Sequence, residues 1–168
     1  RPEFYVCPRD TVVYAESGKC SATLVLGRPT FWDPCNEYVS YSNDSPYRSS
    51  PTDASGTYPV GVTVITWTII DESGNINTCL QTVRVIDDQP PTIACPANVF
   101  AIATPPLCEV PAIVVENPIL ADNCSTSSLT LTWVKTGATI GSGNGFVNNT
   151  TFEVGLTTVT YTVTDAGG

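Results

Sequence analysis

Histidine and methionine are absent from this chain of 168 residues, and basic residues are scarce. Without histidine there is no Ser-His-Asp or Cys-His catalytic set and no histidine-ligated metal site. Lys and Arg together number 7 against 16 Asp and Glu, for a net charge of −9. Phosphate contacts need clustered Lys and Arg, and the sequence holds no such cluster, so nucleic acid and anionic membranes are not expected partners. No apolar run approaches the roughly 18 residues of a spanning helix, so no membrane insertion is expected. The first residues carry no signal peptide, which reads as a chain that starts inside a longer precursor. No segment repeats its apolar residues at a helical period.

Cysteine, proline and glycine are plentiful. Seven cysteines are spaced widely and never as C-x-x-C, which argues against zinc or a thioredoxin motif and for disulfides formed in an oxidising compartment. Fourteen prolines and twelve glycines punctuate short segments, the pattern of many strands joined by turns. Hydrophobic residues make up 42% of the chain, enough for packed cores.

The chain contains an internal repeat. Val6-Cys7-Pro8-Arg9-Asp10 recurs as Ala94-Cys95-Pro96-Ala97-Asn98, and Cys20 recurs as Cys108. Asp33-Pro34-Cys35 answers to Asp122-Asn123-Cys124, and Tyr58-Pro59-Val60-Gly61 to Phe152-Glu153-Val154-Gly155. The offset grows from 88 to 94 residues along the way, so the second copy carries extra loop residues at little entropic cost. The counterpart of Cys79 falls beyond Gly168. The second copy is therefore expected to lack its last strand, and Cys95 to be unpaired through truncation.

Within the copies the period is that of β-strands. Ile65, Trp67 and Ile69 fall on one face, with Val64, Thr66 and Thr68 on the other. Val159, Tyr161 and Val163 repeat the inward set, and Thr158, Thr160, Thr162 and Thr164 the outward one. Asp71-Glu72-Ser73-Gly74-Asn75 reads as a turn joining Val62–Ile70 to Thr78–Ile86 in a hairpin. Thr11–Tyr14, Ala22–Leu26 and Tyr38–Tyr41 are shorter strand candidates. The expected fold is all-β: two tandem immunoglobulin-like (fibronectin III-like) β-sandwiches of about seven strands each. The boundary is Gln89-Pro90-Pro91, whose prolines stop strand pairing and stiffen the linker. This predicts domains over residues 1–88 and 89–168.

These residues resemble the hyalin repeat (HYR) family. Asp87-Asp88-Gln89-Pro90-Pro91-Thr92-Ile93-Ala94-Cys95-Pro96 looks like its opening, and Asp122-Asn123-Cys124 like its middle motif. Tyr58-Pro59-Val60-Gly61 followed by Thr66–Asn75 looks like its closing hairpin, and the stretch Val154–Gly168 matches it again. The resemblance covers nearly the whole chain twice. It implies extracellular or cell-surface sandwiches in long arrays, with a role in adhesion and no catalysis. The Thr-rich style, with four cysteines to a repeat, resembles the bacterial branch. Four cysteines allow three connectivities; the family's usual pairing of first with last implies Cys7–Cys79 and Cys20–Cys35, with Cys108–Cys124 in the second repeat.

Other candidates each have a plain structural alternative. Asp71, Glu72, Asp87 and Asp88 offer hard oxygen ligands, so calcium is a candidate although no cofactor is required; turn chemistry explains the same residues. Asp10-Thr11-Val12 resembles a bacterial O-glycan motif, which makes Thr11 a candidate acceptor. Asn123-Cys124-Ser125 and the overlapping sequons from Asn148 to Thr151 are candidate N-glycan sites. Phe31, Trp32, Tyr38, Tyr41 and Tyr47 crowd one variable stretch and form either a contact surface or part of a small core. Neighbouring repeats of the same protein are the expected partners, with like subunits of a filament, or surface glycans for a carbohydrate-binding module, as the alternatives.

Overall fold

The computed structural model describes residues 1–35, 38–103, 106, 109–124, 128–148 and 150–166. The protein is all-β: no α-helix occurs among the described residues, and none has a helix long and apolar enough to cross a membrane. Two compact units divide it, Arg1–Asp88 and Gln89–Gly168.

Unit 1 has eight strands among its described residues: β1 (Glu3–Val6), β2 (Thr11–Tyr14), β3 (Ser21–Leu24), β4 (Thr30–Trp32), β5 (Val39–Asn43), β6 (Gly56–Pro59), β7 (Gly61–Asp71) and β8 (Ile76–Ile86). A four-stranded sheet runs β2-β8-β7-β5, and two ribbons, β3-β6 and β1-β4, complete the unit. The hairpin β7-β8 is antiparallel with Trp67 opposite Cys79 and Gly61 opposite Val85. β2 lies parallel to β8, with Thr11 opposite Val83, a pairing that the sequence pattern does not announce.

The core follows from the period of two. Ile65, Trp67 and Ile69 on β7 are 0% exposed, while Val62 and Val64 on the opposite face are more than half exposed. Val83 and Val85 on β8 join Ala22 on β3 and Tyr58 on β6 to close the sandwich between the sheet and its ribbons. Phe4, Val13, Leu24 and Tyr41 pack around that cluster. Tyr58 is fully buried with its hydroxyl 2.8 Å from Ser45 Oγ and donating to the Ala54 carbonyl at 2.5 Å. Burial pushes its phenol pKa up because the charged form loses its water.

Unit 2 has seven strands among its described residues: β9 (Thr92–Ala94), β10 (Glu109–Ile113), β11 (Ile119–Ala121), β12 (Thr130–Gly137), β13 (Gly141–Asn144), β14 (Thr150–Glu153) and β15 (Thr157–Thr164). β9 pairs with β11, β10 with β14, and β15 with β12, all antiparallel. β13 adds a hairpin on β12. That hairpin depends on Gly143, where a Cβ would lie 2.6 Å from the Trp133 ring. Lys135 is buried on β12, where its ammonium donates to Thr150 Oγ1 at 2.6 Å and stands 4.5 Å from the Phe152 ring centroid. Burial holds its pKa down, and the ring face offsets part of the lost hydration.

Candidate functional site

The feature that fixes unit 1 is a covalent tie across the chain. Cys7 follows β1, Cys79 lies on β8, and the two form a disulfide with 6.2 Å between their Cα atoms. Beside it, the Trp67 indole N–H donates to Gln81 Oε1 at 3.0 Å, and Gln81 Nε2 donates to the Arg9 carbonyl at 2.9 Å. Gln81 is 1% exposed and thus ties the opening segment to the hairpin by hydrogen bonds, in parallel with the disulfide. It was not among the residues singled out from the sequence. Its signal was there: in the inward series Cys79, Gln81, Val83, Val85 it is the one amide.

The remaining cysteines correct one expectation. Cys35 is a free, exposed thiol, whereas Cys20 is disulfide-bonded, so the Cys20–Cys35 bond is not formed. The reason lies in the strand pairing. Cys20 enters β3, which bonds to β6, while Cys35 follows β4, which bonds to β1. The family's usual pairing leaves these two cysteines to each other, but the chain crosses from one ribbon to another between them. Cys35 N–H is held by Asp33 Oδ1 at 2.8 Å in a local turn. In unit 2 Cys95 is a free, exposed thiol and Cys124 is disulfide-bonded; Cys108 lies outside the described residues, as does Asn149.

The four candidate calcium ligands do not converge. Asp71 and Glu72 sit at the turn end of the β7-β8 hairpin, Asp87 and Asp88 past its open end. Ten paired positions separate those ends, about 30 Å of strand. Asp71 is buried and its oxygens accept from Asn75, backbone N–H at 2.7 Å and side-chain Nδ2 at 2.8 Å. Burial opposes its ionisation, but the Asn75 side-chain and backbone donors prevail and hold its pKa below the usual value. The turn thus uses this carboxylate itself. Glu72 is exposed, Asp87 half-buried and Asp88 exposed.

The aromatic group divides. Phe31 and Tyr41 stand 5.2 Å apart, and Tyr41 continues to Trp67 at 6.4 Å, so both extend the core. Tyr47 packs edge-on against Tyr58 at 5.2 Å. Trp32 and Tyr38 are 51% and 72% exposed and remain available for contact. Alternation explains the split on β4, where Phe31 faces in and Trp32 out. Thr11 is half-buried on β2, on the same side as Val13, which packs on the core.

Together these features define a disulfide-locked β-sandwich domain. Residues 1–85 match the HYR domain. The chain belongs to that family. Two similar relatives are sushi, von Willebrand factor type A, EGF and pentraxin domain-containing protein 1 of Rattus norvegicus and hyalin of Lytechinus variegatus. The first is 30% identical over 96% of this chain, the second 30% identical over 73%. The chain spans 4% of the length of the rat protein and 22% of the sea-urchin hyalin. Among solved structures, human protocadherin-24 EC1-2 aligns with 77% of this chain and 64% of its own, at 13% identity and a TM-score of 0.38. The protocadherin gamma B2 extracellular cadherin domains 1-5 align with 96% of this chain and 38% of theirs, at 11% identity and a TM-score of 0.44.

Proposed function

We propose that this chain is a stretch of an extracellular adhesion-type repeat array, in which each sandwich serves as a non-enzymatic structural link. The HYR match over residues 1–85 carries the reading, and the hyalin relatives support it. The Cys7–Cys79 bond supports an oxidising, extracellular setting. Residues 89–168 form the second copy in this reading. Support comes from the strand pairings, since β9-β11, β10-β14 and β12-β15 repeat β1-β4, β3-β6 and β5-β7 at the offsets of the sequence repeat. The relatives named above are animal proteins and lend a bacterial source no support.

The spacer reading expects the chain to stay monomeric in sedimentation velocity across a wide concentration range. Polymers that grow with concentration would replace it with the filament-subunit reading. The extracellular setting is tested by expression: chain made in an oxidising compartment resists protease, and chain made in a reducing one is cut. Equal resistance in both would remove that support. Calcium at Asp87 and Asp88 is tested by comparing melting temperatures with and without the ion in the native chain and in Asp87→Asn. A response that the substitution leaves unchanged dismisses Asp87.

A further inference from the structure

In unit 2 a buried cation joins two sheets. Lys135 belongs to β12, in the sheet β13-β12-β15, and its ammonium reaches β14, in the ribbon β10-β14. The residue is 6% exposed. Its Nζ donates to Thr150 Oγ1 at 2.6 Å and stands 4.5 Å from the Phe152 ring centroid and 5.1 Å from that of Trp133. One hydroxyl and two ring faces thus take the place of its water.

No carboxylate accompanies it among the described residues, whose ion pairs all involve other groups. β12 carries no second charged residue and β13 carries none. β14 carries Glu153, exposed and next in line to Phe152, so that the strand turns it to the other face. Glu109 of β10, opposite Glu153, is exposed as well. From β15 the titratable group is Tyr161, opposite Trp133, while Lys135 itself stands opposite Val159. A buried ammonium without a countercharge is costly, because little replaces its lost hydration.

Unit 1 fills the like position with neutral groups. Asn43 pairs with Trp67 as Trp133 pairs with Tyr161, and Ser45 and Lys135 each follow two residues on. Ser45 is 1% exposed, with its Oγ 2.8 Å from the Tyr58 hydroxyl of β6. Tyr58 and Phe152 hold matching places in the sequence repeat. Each unit therefore sets a buried polar side chain against an aromatic residue between its two layers. In unit 1 both groups are neutral. In unit 2 the polar group carries a charge that it can lose.

We propose that Lys135 is a charge-sensitive latch between the two layers of unit 2, tightest with its amine neutral and loosened by a proton. Burial disfavours the charged form and holds the folded pKa of Lys135 below its ordinary value. Between the folded and unfolded values the unfolded chain binds the extra proton, so the stability of unit 2 rises with pH. The gain is complete above the unfolded value and is lost as pH falls through the folded one. Thr150 Oγ1 and the two rings limit the cost of the charged form without removing it. The latch is made of unit 2 residues and stands whether the chain acts as a spacer or as a filament subunit.

The experiment uses the full chain with carbon-13 at Cε of its two lysines, Lys19 and Lys135, and fluorine on its three tryptophans. The lysine signal that Lys135→Met removes should titrate at lower pH in the folded chain than in urea. Urea unfolding is then followed at the Trp133 fluorine over a series of alkaline pH values. Lys135→Met should raise that midpoint, and its advantage over the native chain should shrink as pH rises. The midpoint reported by Trp67 in unit 1 should be the same in variant and native chain at every pH. Thr150→Val, close in shape and without the acceptor oxygen, should move the Lys135 titration to still lower pH. A Lys135 titration equal in folded and unfolded chains would overturn the proposal. So would a Lys135→Met advantage that is absent or constant with pH, or an equal response at Trp67.

Discussion

Replacing Gln81 by Leu removes the acceptor of the Trp67 indole and the donor to the Arg9 carbonyl. Stranding a buried donor costs about 1–3 kcal/mol, so the urea midpoint of Gln81→Leu should fall with the slope unchanged. Asp53 makes a prediction about acid. Its carboxylate accepts from the Ser55 N–H at 2.9 Å and from Arg28 Nη2 at 3.1 Å. Hydrogen bonds from Ser55 first, and then Arg28, lower its pKa from 3.8 to about 2. A depressed folded pKa gives stability that is present above the unfolded value and lost as pH falls through the folded one. The window therefore runs from near pH 4 down to near pH 2. The Asp53 carboxyl carbon should titrate near pH 2 by NMR, and Asp53→Asn should flatten the loss of stability across that window. A titration near 3.8 would refute it. The side chain is partly exposed, so salt should weaken the effect.

At the scale of elements, the turn before β7 needs glycine. Gly61 has φ of 125° and its counterpart Gly155 has 134°, a region costly to residues with a Cβ. Gly61→Ala meets no neighbour, so its penalty is backbone strain alone, about 1–3 kcal/mol. Thermal unfolding at one-degree precision is enough to detect it. Such glycines were legible as a repeated Val-Gly pair before strongly alternating strands. The hairpin β7-β8 was legible for the same reason: Ile65, Trp67 and Ile69 have no reading but one buried face. Three features were not legible. The parallel β2-β8 pairing joins segments far apart in sequence, and no local pattern encodes it. β13 is built from Gly141-Ser142-Gly143-Asn144, residues that read as loop until Trp133 is seen to lie over Gly143. Cys35 was misassigned because the family's pairing of first with last leaves Cys20 and Cys35 to each other, and no residue pattern says which ribbon a strand joins. The aromatic stretch was half legible, since alternation sorts Phe31 from Trp32 once β4 is known.

At the scale of the molecule, unit 1 owes its closed core to β8, which lies between β7 and β2. The burial of its core residues shows it. Unit 1 buries Tyr58, Ile65, Trp67, Ile69, Val83 and Val85 to 2% exposure or less, while the buried apolar residues of unit 2 among those described are Leu131 and Val147. The Cys7–Cys79 bond has a further effect when the chain is under tension. Load entering near Arg1 and leaving near Asp88 passes through two sulfur atoms and bypasses the residues between them, a separation of 72 positions. Those residues are length held in reserve. At about 3.3–3.6 Å per residue, reduction under a pulling force should release about 240–260 Å that the oxidised chain withholds. A force trace with equal extension in both redox states would show that the bond carries no load.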